Sequence, residues 1–235
     1  MTAPPAAPGT RSGARTGKRP SLRGRFLTFE GIDGCGKTTQ ARLLAERLRA
    51  GGLPVLETRE PGGTAIGKQL RAVLLSADNA ALQPLTELLL FLADRVQHLN
   101  ELIRPALARG EVVVCDRFHD ATVAYQQYAR DLDFAPLETF IRSQIAPMPD
   151  ATFWLDVPVP VGLQRIAARG TGAPGTADES RLDGSAAAFH EKVRAGYAAI
   201  AAAEPGRVVR IDAAAGPEVL HEQIWARLTE RYDVV

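Results

Sequence analysis

The 235-residue chain is 46% hydrophobic, which suits one globular domain with a full apolar core. Its 28 Lys and Arg residues against 27 Asp and Glu residues give a net charge of +1, so we expect neither nucleic acid nor a membrane as a partner. No apolar run approaches the length of a membrane span. The two cysteines, Cys35 and Cys115, lack metal-ligand spacing and indicate a reducing compartment, which predicts a cytoplasmic protein without disulfides.

The first 24 residues differ from the rest of the chain. They contain no Asp or Glu and are rich in Ala, Pro, Gly, Thr and Arg. Such a segment cannot bury enough apolar surface to order itself, and it lacks the apolar stretch of a secretory signal. We therefore expect a disordered basic tail over residues 1–24, more simply a solvated extension than a tether to an anionic partner, followed by one domain over residues 25–235.

A strand, a glycine-rich loop and a helix follow the tail. Residues 26–29 are apolar, residues 31–38 fit the pattern G-x-x-x-x-G-K-[ST], and spaced apolar residues from Ala41 onward predict a helix. Backbone amides of such a loop surround a polyphosphate, while Lys37 adds a positive charge and Thr38 offers a hydroxyl to Mg²⁺. A glycine-rich turn that fits by chance is the alternative, and the correct flanks disfavour it.

Asp33 is unusual inside a loop that binds polyphosphate, because its carboxylate is repelled by the phosphates. We expect the side chain to face away from them, toward a second substrate or a cationic partner. Exposure to solvent is the alternative.

The next segment places a special turn at the end of a strand. Residues 54–58 predict a strand, and residues 59–64, Arg-Glu-Pro-Gly-Gly-Thr, predict a tight turn at the edge where open α/β sheets bind ligands. Thr64 can cap a helix over residues 65–76, which carries Arg71. A long helix is expected over residues 85–109, with Phe91 and Arg95 on one face.

An acidic residue at the end of another predicted strand follows that helix. Residues 111–115 form a mostly apolar run that ends at Asp116, which matches a Walker B strand whose carboxylate organises Mg²⁺ through water. Arg117 would lie in the same crevice. Residues 119–128 predict a helix that carries Thr122, Tyr125 and Gln126.

The remaining chain alternates helices and strands. We expect helices over residues 137–145, 160–168, 189–203 and 218–232, and strands over residues 151–157 and 207–212. Residues 169–185 have no apolar periodicity and contain Arg169 and Arg181, so they predict a mobile lid over the phosphates, with an inert surface loop as the alternative. The four histidines show no ligand spacing and are expected to be surface or packing residues.

The order of elements predicts an α/β fold of three layers, with a five-stranded parallel sheet covered by helices on both faces. The chain contains no Asn-Lys-x-Asp motif for reading guanine, and it is too short for a motor with accessory domains. Several arginines near one crevice indicate a second anionic substrate, so a small kinase is favoured.

The chain resembles the bacterial thymidylate kinases, which are phosphate-loop kinases that transfer the γ-phosphate of ATP to dTMP. The resemblance covers roughly residues 25–232. It rests on Phe-Glu-Gly-Ile-Asp-Gly-Cys-Gly-Lys-Thr-Thr at 29–39, Thr-Arg-Glu-Pro-Gly-Gly-Thr at 58–64, and Asp-Arg-Phe at 116–118 leading to Ala-Tyr-Gln at 124–126. It implies Mg²⁺ as the cofactor, ATP and dTMP as substrates, and a homodimer.

The resemblance also implies which residues recognise the base. Phe91 is similar to the aromatic residue that stacks on thymine, and Arg95 to the arginine that hydrogen-bonds its edge. Arg71 resembles a residue near the pyrimidine. Thr122 and Gln126 resemble polar contacts to the base.

The resemblance also implies a second set of residues, which contact the sugar and the phosphates. Arg59 and Arg117 resemble the grips on the dTMP phosphate, Tyr125 the wall near the sugar 2′ carbon, and Asp33 the acid that meets the 3′-hydroxyl. The substrate-binding set also includes Glu60 and Pro61. The implied ATP contacts are Gly31, Ile32, Asp33, Gly34, Cys35, Gly36, Lys37, Thr38 and Thr39. The implied catalytic residues are Lys37, Asp33, Arg117, Arg169 and Arg181.

The phosphate loop contains no arginine, whereas the expected lid contains Arg169 and Arg181, which resembles the lid-arginine arrangement of many bacterial family members. Gln127 and the run Ala129, Arg130, Asp131 depart from the family's usual glycine-rich pattern at these positions. Another nucleotide kinase, or a non-catalytic phosphate-loop module, is the alternative.

Overall fold

The computed structural model describes residues 19–133, 143, 146–169 and 187–234, apart from the side chain of Arg169. Within them, five parallel strands form one sheet in the order β2-β3-β1-β4-β5. The strands are β1 (Phe26–Glu30), β2 (Val55–Arg59), β3 (Val112–Asp116), β4 (Ala151–Asp156) and β5 (Val208–Asp212). This architecture confirms the predicted sheet.

The register of the strands creates the candidate crevice. Phe29 pairs with Asp116, and Arg59 also pairs with Asp116 across the sheet. The polar residues that follow β1, β2 and β3 therefore meet at the carboxyl edge of the sheet, where parallel α/β sheets bind ligands.

Helices cover both faces of the sheet. They are α1 (Lys37–Ala50), α2 (Ala65–Leu75), α3 (Pro84–His98), α4 (Arg104–Ala108), α5 (His119–Thr122), α6 (Val159–Arg169), α7 (Ala187–Ala203) and α8 (Pro217–Arg231). The Thr64 side chain accepts from the Gly67 amide at 2.9 Å, which confirms the predicted cap of α2.

The central strand β1 is buried on both faces because helices pack on both sides of the sheet. Leu44 of α1 packs in one core cluster with Leu27 and Phe29. Leu99 and Ile103 pack in a second cluster with Phe26. Alternation along β1 sends its neighbouring side chains to opposite faces, which is the pattern of a buried parallel strand.

The predicted helix over residues 85–109 is not regular along its length. Between α3 and α4, Leu99–Ile103 is π-helical, and the Arg104 amide donates to the Leu99 carbonyl, five residues earlier. Pro105 explains the change, since it has no N–H for the α-helical bond and its ring crowds the preceding turn. The predicted helix over residues 119–128 likewise continues beyond α5 as π-helical Val123–Ala129.

The predicted boundary of the N-terminal tail needs a correction. Residues 19–24 were assigned to the tail, yet Leu22 is fully buried in the core and its amide donates to the Asp233 carbonyl at 3.0 Å. The Asp233 amide in turn donates to the Pro20 carbonyl at 2.9 Å. The ordered domain therefore includes these residues, because an apolar side chain and backbone pairing hold them in place.

Three predictions fall on parts of the chain outside the described residues. They are the tail over residues 1–18, most of the helix over residues 137–145, and the lid between α6 and α7. Of the helices that the structure describes, none has the length and apolar character needed to cross a membrane.

Candidate active site

The phosphate loop joins β1 to α1, as its sequence predicts. Lys37 is buried, and its ammonium group donates to the carbonyls of Gly31 at 3.1 Å and Ile32 at 2.8 Å. Gly34 has φ 77°, and a Cβ there would overlap the Gly162 carbonyl of α6. Glycine is required at this position both for the left-handed backbone and for the close approach of α6.

Thr38 and Asp116 meet beside the loop. The Thr38 hydroxyl donates to Oδ2 of Asp116, while the buried Oδ1 of Asp116 has no hydrogen-bond partner among the described residues. An unpaired carboxylate oxygen next to a hydroxyl fits Mg²⁺, which takes one or two protein oxygens and completes its shell with waters and phosphates. These two residues therefore fit a Mg²⁺ site.

A group of largely buried polar side chains surrounds the phosphate loop, and we name it the loop cluster. Its members are Glu30, Asp33, Lys37, Arg117, Tyr125 and Tyr197. Within the loop cluster, Asp33 Oδ1 accepts from Arg117 Nη2, Asp33 Oδ2 accepts from the Tyr125 hydroxyl at 2.9 Å, and Lys37 Nζ lies 3.8 Å from Asp33. The Asp33 carboxylate thus faces cationic partners, as the repulsion argument expected.

The charge state of Asp33 follows from these contacts. Burial acts to raise its pKa, but Arg117, Lys37 and the Tyr125 hydroxyl together hold that pKa well below its usual range. These contacts therefore favour the ionised carboxylate of Asp33, which can accept a hydrogen bond from a hydroxyl group.

Arg117 lies at the centre of the loop cluster and has an uncommon backbone conformation. Its φ is 70°, in the left-handed region that non-glycine residues rarely adopt. Its Nη1 donates to the Gly31 carbonyl at 3.2 Å and to the Tyr197 hydroxyl at 3.3 Å, and its Nη2 lies 3.1 Å from the Tyr125 hydroxyl. This places a guanidinium directly beside the phosphate loop.

Glu30 ends β1 and is fully buried under Arg117. Its Oε1 accepts from the Phe118 amide at 2.7 Å and from the Ala121 amide at 3.3 Å, and its Oε2 accepts from the Tyr197 hydroxyl at 2.8 Å. Burial is the main cause that raises its pKa to about 7, followed by the negative charge of Asp120.

A second buried group lies at the turn after β2, and we name it the turn cluster. Its members are Thr58, Glu60, Asp94, Arg95 and His98. Arg95 Nε donates to Glu60 Oε2 at 2.8 Å, and His98 Nδ1 lies 2.9 Å from Glu60 Oε1. Arg95 Nη2 donates to the Phe118 carbonyl at 2.9 Å, whereas buried Nη1 has no hydrogen-bond partner among the described residues.

The turn cluster fixes the shape of the turn. The Gly62 amide donates to Asp94 Oδ1 at 3.1 Å, and a Cβ on Gly63 would clash with the His98 ring. The Glu60–Pro61 peptide bond is cis. Burial and then the charge of Glu60 raise the pKa of Asp94 to about 6, and its buried Oδ2 has no partner among the residues described.

Gln126 is also held by a buried acid. Glu87 is fully buried and accepts from Gln126 Nε2 at 2.9 Å and from Arg130 Nε at 2.9 Å. The run 129–131, which departs from the family pattern, therefore supplies an ion pair. Gln127 is exposed, so a side chain larger than glycine is accommodated there.

The other predicted substrate residues lie at the end of β2 or on helices that follow β2 and β3. Arg59 is exposed at the end of β2, and Arg71 Nη1 donates to the Pro61 carbonyl at 3.0 Å. Phe91 is half-buried on α3, and Thr122 is buried on α5. Arg169 ends α6, and Arg181 lies outside the described residues, so the structure places neither lid side chain.

Sequence reasoning did not single out Glu30, Tyr197, Asp94, His98 or Glu87. The expectation for His98 is a surface or packing residue; it is a fully buried packing residue, and its ring is also hydrogen-bonded to Glu60 and Thr58. One signal was present for Glu30, since a charged residue that directly ends an apolar strand before a phosphate loop must find a polar partner. Tyr197 carried no such local signal.

Comparisons with known proteins agree with this geometry. The family model described as thymidylate kinase matches residues 29–224. A thymidylate kinase of Solidesulfovibrio magneticus is 50% identical over 202 residues, which cover 85% of this chain and 96% of the relative. A thymidylate kinase of Geotalea uraniireducens is 48% identical over 211 residues, which cover 88% of this chain and 98% of the relative.

A solved structure is also similar. The crystal structure of thymidylate kinase from Ehrlichia chaffeensis matches with a TM-score of 0.69 and 33% sequence identity, over 88% of this chain and 99% of that one. The chain therefore belongs to the thymidylate kinase family.

Proposed function

We propose that the two clusters divide the work of one reaction, in which the loop cluster binds the phosphates and the turn cluster binds the base. The chain phosphorylates dTMP with ATP, giving dTDP and ADP, as its membership of the family establishes. The assignment of individual residues to this reaction is our proposal.

The observation that carries the proposal is the position of Arg117. A part-buried guanidinium beside Gly31, in addition to Lys37 in the loop itself, provides positive charge for more than one phosphate group. Arginine binds phosphate oxygens in a bidentate manner. We assign Arg117, with Arg59, to the phosphate of dTMP, and residues 31–39 to the phosphates of ATP.

The reaction needs positioning and charge neutralisation more than acid-base chemistry. An oxygen of the dTMP phosphate attacks the γ-phosphorus in line, and no strong base is required because that phosphate is already ionised. Lys37 holds charge on the outer phosphates, and one lid arginine, Arg169 or Arg181, would neutralise charge that develops during transfer. Mg²⁺, held by Thr38 and by Asp116 directly or through water, would neutralise phosphate oxygens when bound.

Recognition of the nucleoside uses the turn cluster and its neighbours. Arg95 Nη1 is a buried donor without a partner among the described residues, which suits the edge of a thymine ring. Phe91 offers a face for stacking, and Asp33 accepts from the sugar 3′-hydroxyl. The remaining assigned contacts are Glu60, Pro61, Arg71, Thr122, Tyr125 and Gln126.

We also propose a homodimer that forms through α2 and α3. These helices pack together and carry exposed apolar side chains, with Ile66 50%, Val73 43%, Leu85 53% and Leu89 53% exposed. Apolar patches of this kind commonly mark interfaces. The free cysteines Cys35 and Cys115 are consistent with a cytoplasmic location.

A coupled ADP-release assay with dTMP, dUMP, dCMP and dGMP tests the assignment. We expect dTMP to be preferred over dUMP by about 10- to 200-fold, because one methyl group in an apolar pocket contributes only about 1–3 kcal/mol. Equal efficiency for dTMP and dCMP would contradict the assignment of Arg95, since a guanidinium donor is mismatched with the cytosine amino group. Thermal shifts with the same nucleotides provide an independent readout of binding.

A further inference from the structure

Glu30 and Tyr197 form a buried connection to Arg117 that the proposed mechanism does not yet use. Arg117 Nη1 donates to the Tyr197 oxygen at 3.3 Å, and the Tyr197 hydroxyl donates to Glu30 Oε2 at 2.8 Å. Glu30 is fully buried and Tyr197 is 2% exposed. The hydrogen bond between Glu30 and Tyr197 is therefore shielded from water, which strengthens it, whereas the Arg117 side chain is 17% exposed.

The connection has a fixed direction. An ionised carboxylate only accepts hydrogen bonds and a guanidinium only donates them. The hydroxyl between the two groups must therefore direct its proton at Glu30 and its oxygen at Arg117. The other oxygen of Glu30 accepts from the Phe118 amide at 2.7 Å, so the same carboxylate also holds the backbone directly after Arg117.

These contacts stabilise Arg117, whose backbone conformation is unfavourable. Arg117 has a φ of 70°, a conformation that is unfavourable for a non-glycine residue and persists only when its surroundings fix it. Glu30 fixes the backbone at Phe118, and Tyr197 fixes the guanidinium. Tyr197 also stacks on Trp154 of β4, with ring centroids 6.4 Å apart, so its own position is well defined.

We infer that Glu30 and Tyr197 are positioning residues that aim the Arg117 guanidinium at the acceptor phosphate. The inference rests on the proposed role of Arg117 as a grip on dTMP. Tyr197 lies on α7, the helix that follows the segment containing the proposed lid, so the connection also joins that helix to the acceptor side of the crevice.

Two substitutions change the connection with little change in volume. Tyr197→Phe removes the hydroxyl, and we expect the KM for dTMP to rise about 5- to 10-fold, as for loss of one hydrogen bond of ordinary strength. Glu30→Gln presents an amide N–H to Tyr197, which turns the hydroxyl proton toward Arg117. We expect a larger rise, about 10- to 100-fold, with the KM for ATP unchanged in both variants.

The double variant separates positioning from general damage to the fold. In the Glu30→Gln background the misdirected hydroxyl is harmful, so adding Tyr197→Phe should leave the KM for dTMP unchanged or improve it. A merely structural role would give additive losses. Tyr232→Phe is the matched control, because Tyr232 is also buried and its hydroxyl donates only to the Asp150 carbonyl at 3.3 Å, away from the loop cluster.

Additive losses in the double variant, or equal changes in the KM for ATP and dTMP, would overturn the inference. So would a normal KM for dTMP in both single variants when Arg117→Lys raises it. If Arg117→Lys itself leaves the KM for dTMP unchanged, the proposed grip fails, and the positioning role falls with it. Melting temperatures of all variants show whether each one is folded.

Discussion

The loop cluster and the turn cluster are both buried networks of charged groups at the carboxyl edge of the sheet, yet they are built differently. The loop cluster draws its side chains from β1, the phosphate loop, the segment after β3 and α7. The turn cluster is formed by the end of β2, its turn and α3. The first joins distant segments, whereas the second joins two neighbouring ones.

The two clusters also differ in what they leave unpaired. In the loop cluster, Arg117 and Asp33 satisfy each other and two tyrosine hydroxyls. In the turn cluster, Arg95 Nη1 and Asp94 Oδ2 are buried without partners among the described residues. A buried unpaired group is costly, and a ligand that pairs with it is strongly selected. This difference fits the proposed assignment, in which prearranged charge binds the phosphates and the open hydrogen-bonding positions bind the base.

The largest expected effect comes from removing a lid arginine, which would add positive charge that the loop cluster does not supply. We predict that Arg169→Ala or Arg181→Ala lowers kcat at least about 10²-fold, since arginine fingers contribute about 10³–10⁵ in turnover. The KM for dTMP should stay nearly unchanged, which marks an interaction made mainly in the transition state. The other variant should show a mild effect. Steady-state kinetics of both single variants and the double variant check this prediction.

If both single variants and the double variant retain the kcat of the wild type, the lid hypothesis is wrong. The cation would then come from Arg117 or from a partner subunit. We favour Arg169 as the stronger of the two, because it ends α6 and is anchored by a helix.

The next effect concerns stability and contrasts the two arginines. Arg95→Ala leaves Glu60 fully desolvated beside His98, and breaking a buried pair of this kind costs about 3–5 kcal/mol of unfolding free energy. Arg117→Ala should cost less, because Asp33 keeps Lys37 at 3.8 Å and the Tyr125 hydroxyl at 2.9 Å. Urea denaturation measures both.

Arg42→Ala, which removes an exposed pair with Glu46, is the control and should cost under about 1 kcal/mol. A larger loss of stability for Arg117→Ala than for Arg95→Ala would refute the contrast between the clusters.

A smaller effect is expected from Asp33→Ala. The catalytic efficiency with dTMP should fall by about 10- to 100-fold, because a hydrogen bond between a carboxylate and the sugar hydroxyl is lost. ATP affinity should hold or improve, since a negative charge leaves the phosphate loop. Isothermal titration with each nucleotide separates the two. Loss of ATP binding with normal dTMP binding would show that the assignment is wrong.

The smallest effect is a pH dependence set by Glu30. Its pKa is raised to about 7 from an ordinary value of 4.5 by burial, chiefly, and by Asp120, against the opposing effects of Arg117, the Tyr197 hydroxyl and the Phe118 amide. As the pH falls through about 7, the carboxylate is protonated and its hold on Arg117 weakens. The ratio of kcat/KM for dTMP, wild type over Glu30→Gln, should therefore fall severalfold toward one between pH 8 and pH 6.

The contribution of Glu30 to the free energy of unfolding should change with pH in the direction opposite to its effect on kcat/KM. The folded state binds the Glu30 proton more tightly than the unfolded state, so this contribution is fully present below about pH 4.5 and is lost as the pH rises through about 7. The melting temperature of the wild type relative to Glu30→Gln should thus decrease between pH 5 and pH 8. Asp94→Asn is the control in the turn cluster, where the Asp94 carboxyl has a pKa of about 6.

Much of the fold could be predicted from local patterns. Apolar runs that stop at glycine or at a charged residue gave all five strands to within one or two residues, and the loop motif identified Lys37 and Thr38. These features depend on short stretches of chain. The π-helical segment before Pro105 depends on hydrogen-bond geometry within the helix, and the burial of Leu22 depends on packing against other segments, so apolar periodicity alone missed both.

The supporting residues of the site could not be predicted for a related reason. Tyr197 and Glu30 are 167 positions apart in sequence, and only the folded sheet brings them together. His98 lies on a helix whose pattern does not show that its ring contacts Glu60, 38 positions away. Sequence motifs reveal groups that touch a ligand through local geometry, whereas the groups behind them depend on tertiary contacts.

The pairing of residues 20–22 with Asp233 holds the first and last described segments of the domain side by side. The Pro20 carbonyl accepts from the Asp233 amide at 2.9 Å, and both segments lie near the amino end of β1, on the far side of the sheet from the crevice. A short peptide can therefore join residue 234 to residue 19, and the exposed turn at Gly51 and Gly52 offers a place to open the chain. Circular permutation there would start the polypeptide at β2 and place the phosphate loop near its carboxyl end, with both clusters built from the same contacts.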